Sequence, residues 1–184
     1  MKGFTIIEIT IVIAIAAIAM LTVGSLFITQ WQLYRSESAI AEIKAQNMLA
    51  QKTITSAIEE SFNVMSSSTI NNVSYVSDEN TIVLKLPAID SNQDIIPDNF
   101  DYVAFERDGT NPTLLISDTE TDATSIRPSG KKTIAQFVST LNFGYNDSVW
   151  NNVSLVEITN ITQKQAGDVL RESKTFKAVK LKNK

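Results

Sequence analysis

Residues 3–28, GFTIIEITIVIAIAAIAMLTVGSLFI, decide how this chain is read. From Ile9 to Ile28 the run carries no charge. An apolar stretch of about 20 residues is long enough to cross the roughly 30 Å hydrocarbon core of a bilayer as a helix. A buried core helix is the alternative, but nothing else in the chain is large enough to surround it. The expectation is a membrane-spanning helix. Ala14, Ala16, Ala17 and Ala19 give it a small-residue surface suited to close helix–helix approach. Gly24-Ser25 marks a weak point where such a helix is expected to bend or melt.

The flanks are unusual. Only Met1-Lys2-Gly3 precedes the segment, and no small-x-small cleavage site follows it, as an ordinary secretory signal would require. The expected cut lies before the helix, between Gly3 and Phe4, and leaves the helix on the mature chain. Lys2 favours a cytoplasmic start and an exported remainder. Glu8 is a lone carboxylate near the start of the run. It has two readings: it sits in headgroup water, or it has a charged partner in a dry environment. Cleavage after Gly3 creates a positive α-amine on Phe4, four residues away. In a bundle of parallel copies, Glu8 of one subunit would neutralise the amine of its neighbour. A charge left unpaired there costs several kcal/mol, so one acid would pin the register of assembly.

The remainder narrows the function classes. The 184 residues suit one ordinary domain plus an appendage. A net charge of −4 argues against a nucleic-acid partner, which needs a basic face. The chain has no cysteine and no histidine. That excludes disulfides, thiolate metal sites and every Ser-His or Cys-His nucleophile. Neither an enzyme nor a cofactor is expected.

Gly3-Phe4-Thr5-Ile6-Ile7-Glu8, followed by a long Ile/Ala/Val helix, resembles the class III signal of type IV pilins and of the pseudopilins of type II secretion systems. Every position matches the family pattern of Gly-Phe-Thr-aliphatic-aliphatic-Glu. The resemblance implies cleavage after Gly3 by a prepilin peptidase, N-methylation of Phe4 by the same enzyme, and an assembly role for Glu8. It implies as partners other pilin or pseudopilin subunits, the prepilin peptidase, an inner-membrane assembly platform and membrane lipid. The implied location is the cytoplasmic (inner) membrane, crossed once with the globular domain outside, and then a pilus or pseudopilus.

Beyond the span, Ile40, Ile43, Asn47, Ala50, Ile54, Ile58, Phe62 and Met65 recur at three- and four-residue spacing, with most charges off that stripe. Trp31 and Tyr34 stand where an interfacial aromatic belt is expected. One helix over about 5–65 follows, divided into a leader (1–3), a transmembrane and assembly part (4–30) and an amphipathic part (31–65). Residues 66–184 form a β-rich globular domain. Its alternating strands include Ile82, Leu84 and Leu86; Val103 and Phe105; Leu141, Phe143 and Tyr145; and Val156 and Ile158. The fold class is α+β and pilin-like: a long N-terminal helix packed on a C-terminal antiparallel sheet, partly curled around the helix stripe. Asp108-Gly109 reads as a hairpin turn, and Ser117 to Lys132 as a loop. TIVLKLPAIDSNQDIIPDNFDYVAFERDG and VSTLNFGYNDSVW are similar to segments of the large minor pilins and pseudopilins of the J or W type.

Other motifs have bland readings beside them. Asp90-Ser91-Asn92-Gln93-Asp94, with Asp101 at the twelfth place, imitates a calcium loop, but Ile95 replaces the turn glycine; a hairpin tip is the better reading. Asp118, Glu120 and Asp122 alternate as weak candidate calcium ligands, or simply belong to a polar loop. Asn72, Asn146, Asn152 and Asn160 match N-x-[ST], with chance favoured. Trp150, after Tyr145, either anchors a neighbouring subunit or fills the core, the second being favoured. The leading function is a structural minor pilin or pseudopilin in a tip or priming complex. The alternatives are a major pilin subunit and a signal-anchored extracytoplasmic binding domain.

Overall fold

The computed structural model describes residues 5–182. Helix α1 (Ile6–Glu60) has 55 residues, about 80 Å at 1.5 Å per residue. Its second half is amphipathic as the spacing predicts: Ile43, Asn47, Ala50, Ile54 and Ile58 have no exposed surface. The helix ends five residues before the periodicity does. The Ser61 N–H and hydroxyl both donate to the Ile58 carbonyl (3.1 and 2.7 Å), and Phe62 N–H donates to Lys85 O at 2.8 Å. Strand β1 (Asn63–Met65) then pairs with β4 (Ile82–Ile89). Phe62 and Met65 therefore leave the helix, because cross-strand pairing outweighs a continued helical period.

The remaining strands are β2 (Ser67–Ile70), β3 (Val73–Val76), β5 (Ile95–Arg107), β6 (Leu115–Glu120), β7 (Gly130–Ala135), β8 (Val138–Tyr145), β9 (Leu155–Ala166) and β10 (Val169–Lys180). All pairings are antiparallel. The expected single curled sheet resolves into a five-stranded sheet (β1-β4-β5-β6-β7), a three-stranded sheet (β10-β9-β8) and the β2-β3 hairpin. One core joins the first two to the helix. Ala50, Ile54 and Ile58 meet Leu84, Leu86, Val103 and Phe105 from one sheet and Leu141, Phe143, Val156 and Ile158 from the other. Burying each large side chain there contributes about 1.5–3 kcal/mol.

Ser117 to Lys132 is not one loop. Leu115–Glu120 is a strand paired on both sides, and Gly130 to Lys132 open β7. Ser117 and Asp118 are buried, so position in the sheet has overridden their polar character. Asp108-Gly109 begins the β5-β6 connection, where Asp108 Oδ1 accepts from the N–H groups of Thr110 and Asn111 at 2.7 and 3.3 Å. Asn71 and Asn72 take φ of 49° and 66°, the paired positive values of a type I′ turn joining β2 to β3.

Candidate assembly and anchor site

Every residue from Thr5 to Arg35 is exposed. Ile6 is 84% and Phe27 70% accessible, along a helix as apolar as a membrane span. Such a surface needs lipid or other helices against it. Its hydroxyl side chains are already provided for within the helix. The hydroxyls of Thr10, Thr22 and Thr29 donate to the carbonyls of Ile6, Ile18 and Ser25 at 2.8–3.0 Å, and Ser25 donates to Thr22 O at 2.8 Å. The chain stays helical through Gly24-Ser25, so the expected melting point is an intact turn. Trp31 and Tyr34 stack with ring centroids 6.2 Å apart at the end of the apolar part.

Glu8 closes a capping box that the sequence carried as Thr5-x-x-Glu8. Thr5 N–H and the Thr5 hydroxyl donate to Glu8 Oε2 at 2.8 and 3.0 Å, and Glu8 N–H donates to Thr5 Oγ1 at 3.3 Å. The carboxylate thus satisfies a donor at the helix start and lies where the helix dipole favours negative charge. Gly3 and Phe4, the expected processing positions, lie outside the described residues.

The acidic candidates are dispersed among structural tasks. Buried Asp118 accepts from the Tyr75 hydroxyl at 2.9 Å and from Asn71 Nδ2 at 2.7 Å. Burial, and then this hydrogen bond, push the Tyr75 phenol well above its ordinary range. Glu120 accepts from Asn71 N–H at 3.0 Å. These two acids clamp the β2-β3 turn. Asp122 shapes its own loop: hydrogen bonds from the Thr124 hydroxyl and then its N–H hold the carboxyl below the ordinary aspartate range. Asp90 Oδ1 accepts from Asn92 and Asp94 N–H within the β4-β5 turn. Asp101 is far inside, fully buried, 3.1 Å from Arg127 Nε. It also accepts from Asp122 N–H (2.9 Å) and the Ser125 hydroxyl (2.7 Å). Among the described residues no group of three or more acids, histidines or cysteines is arranged to hold a metal ion.

Trp150 is half-buried against the core and meets Tyr145 edge-on, centroids 4.9 Å apart. The Tyr145 hydroxyl donates to Asp78 O and Thr81 O at 3.0 and 3.2 Å. Of the four sequons, Asn160 is fully buried, while Asn146 Oδ1 accepts from Ser154 and Leu155 N–H.

One polar centre escaped the sequence reading. Asn47, in the middle of the apolar stripe, donates through Nδ2 to Ser173 O (2.7 Å) and Asn160 O (3.3 Å). Its Oδ1 accepts from the Thr175 hydroxyl (2.6 Å) and Asn160 Nδ2 (3.1 Å). Close by, the Thr162 hydroxyl donates to Ile43 O at 3.0 Å. These bonds lock the amphipathic helix onto β9 and β10, so the exposed half projects from a fixed base. An asparagine inside a hydrophobic stripe was the visible signal. Comparison of the chain with protein-family profiles, curated protein sequences and solved structures returned no match.

Proposed function

We propose that this chain is a structural minor pilin or pseudopilin, processed by a prepilin peptidase and assembled through its N-terminal helix into a pilus-like or secretion filament. The observation that carries this reading is the division of α1. One half is locked into a β-domain; the other is an uncovered apolar rod from Ile6 on, whose first turn carries Ile6, Ile7 and Glu8 of the Gly-Phe-Thr-Ile-Ile-Glu signal. A rod of that kind waits in a bilayer and moves into a bundle of like helices with little change in its apolar environment. The pilin-like arrangement of long helix on antiparallel sheet agrees with it.

Glu8 then has two successive tasks. In the single chain it caps the helix through Oε2 on Thr5. In the filament, its charge neutralises the new amine of Phe4 on a neighbouring subunit. The outcome expected for Glu8→Ala is normal removal of residues 1–3 with loss of incorporation into filaments or loss of partner recruitment. Normal assembly by that variant would refute the role.

A further inference from the structure

The β9-β10 hairpin lies along α1 and runs toward its membrane end. Thr162 bonds to Ile43 and Asn160 to Asn47, so advancing along β9 means moving back along the helix. At about 3.4 Å per strand residue and 1.5 Å per helical residue, the four residues from Thr162 to Ala166 span about nine helical residues. That places the hairpin tip beside Tyr34. The turn there is tight: Val169 pairs with Ala166, and Gly167, at φ 64°, takes the left-handed position where glycine is favoured.

A cavity of about 570 Å³ opens between this tip and the helix, bordered by Thr29, Leu33 and Arg35 on one side and by Gly167, Asp168 and Arg171 on the other. Its level is fixed by the apolar run, which gives way to polar Thr29 and Gln30 after Ile28. Leu33 is five residues, about 7.5 Å, beyond Ile28, and the headgroup layer is about 5–8 Å thick on each side of the hydrocarbon. The stacked Trp31 and Tyr34 lie at the same height, as an interfacial belt should. Val169 and Leu170 are 47% and 56% exposed beside the cavity. Arg171 Nε is buried without a hydrogen-bond partner. Among the described residues, neither Arg35 nor Arg171 has a carboxylate within ion-pair distance.

We propose that this cavity holds the headgroup of an anionic phospholipid. Arg35 and Arg171 would take the phosphodiester. Two guanidiniums and one carboxylate, Asp168, leave one net positive charge. A headgroup with a single negative charge balances it, whereas a zwitterionic one adds an ammonium beside the arginines. Guanidinium matches phosphate oxygens in a two-pronged arrangement and gains strength in a partly dry site. The β-domain would thereby be seated on the membrane by two separate contacts, the helix and the hairpin tip. The inference rests on the first half of α1 lying in a bilayer.

The test reconstitutes the full chain into nanodiscs of phosphatidylcholine alone, or of an equal mixture with phosphatidylglycerol. Native mass spectrometry after detergent release then reads the retained lipid. The expected result is phosphatidylglycerol on the wild type and, for Arg35→Gln/Arg171→Gln, retention lower by roughly 30-fold, given the usual contribution of two basic groups at an anionic surface. The lysine double variant should recover most of the retention, and both variants should keep the wild-type thermal transition. Failure of the wild type to insert would overturn the anchor reading and this inference with it. Insertion with equal retention by wild type and the glutamine variant would overturn the site alone. Displacement of phosphatidylglycerol by millimolar inorganic phosphate would likewise overturn lipid as the occupant.

Discussion

Replacing Asn47 with leucine tests how the helix is fixed to the sheet. The side chain has no exposed surface and takes part in four hydrogen bonds. Leucine keeps the same branched outline of side-chain heavy atoms and is no smaller, so no cavity is opened. The loss is of partners. Asn160 Nδ2, whose bond at 3.1 Å goes to Asn47, is left stranded in the interior. Of its side-chain donors Ser173 O retains the Thr162 hydroxyl at 3.4 Å, and the Thr175 hydroxyl retains Asn160 O at 3.5 Å. A buried polar group without a partner costs about 1–3 kcal/mol. One stranded and two weakened groups sum to about 3 kcal/mol, a large part of the stability of a domain this size. Adding Asn160→Leu removes the stranded amide, so the double variant should recover about 1 kcal/mol or more relative to Asn47→Leu. Urea unfolding of the detergent-solubilised full chain, followed by tryptophan fluorescence, supplies the cycle. A cost below about 1 kcal/mol for Asn47→Leu, or additive effects within about 0.5 kcal/mol, would refute the reasoning.

Two further outcomes concern charge. Arg127→Met leaves Asp101 buried beside Ser125 and Asp122 without its cation and should cost about 3–5 kcal/mol; Asp101→Asn on that background should restore most of it, as read by thermal unfolding. The carboxyls of Asp108 and Asp122 are held low by local hydrogen bonds, Asp108 by the N–H groups of Thr110 and Asn111 and Asp122 by Thr124. Their contribution is complete above the ordinary aspartate range and declines as pH falls through their depressed folded-state values. Glu106 has the opposite sign: burial raises its pKa, so its penalty grows as pH rises through the carboxylate range. Glu106→Gln should stabilise the protein at neutral pH and lose that advantage in acid, and an advantage that persisted in acid would contradict the assignment.

What the sequence showed plainly was periodic. Charge-free length marked out the exposed apolar half of α1, a stripe from Ile43 to Ile58 defined the buried helix face, and alternation found Ile82-Leu84-Leu86 and Leu141-Phe143. The misplaced parts depend on contacts distant in sequence. The helix stops at Glu60 because Phe62 and Asn63–Met65 are claimed by β4, and nothing between 61 and 65 announces a partner twenty residues on. Leu115–Glu120 is a strand because β5 and β7 flank it, although four of its six residues are polar. The division into two sheets follows from which strands pair with which, a question periodicity does not address. At the candidate site, Glu8 stands out by its charge, while its capping of Thr5 is written in the four-residue pattern Thr5-x-x-Glu8. Asp101 merely fell at the twelfth place of an imitated calcium loop; its three-dimensional neighbours Arg127, Asp122 and Ser125 show it to be an internal anchor.

The central claim is that residues 3–8 form a processing and assembly signal placed before a retained helix. Intact-mass analysis of the chain from hosts with and without prepilin peptidase tests it most directly. The mature chain is expected to begin at a methylated Phe4 and to keep the whole of α1, with the full-length form accumulating when the peptidase is missing. A mature chain still beginning at Met1, or one beginning after Gly24, would contradict it.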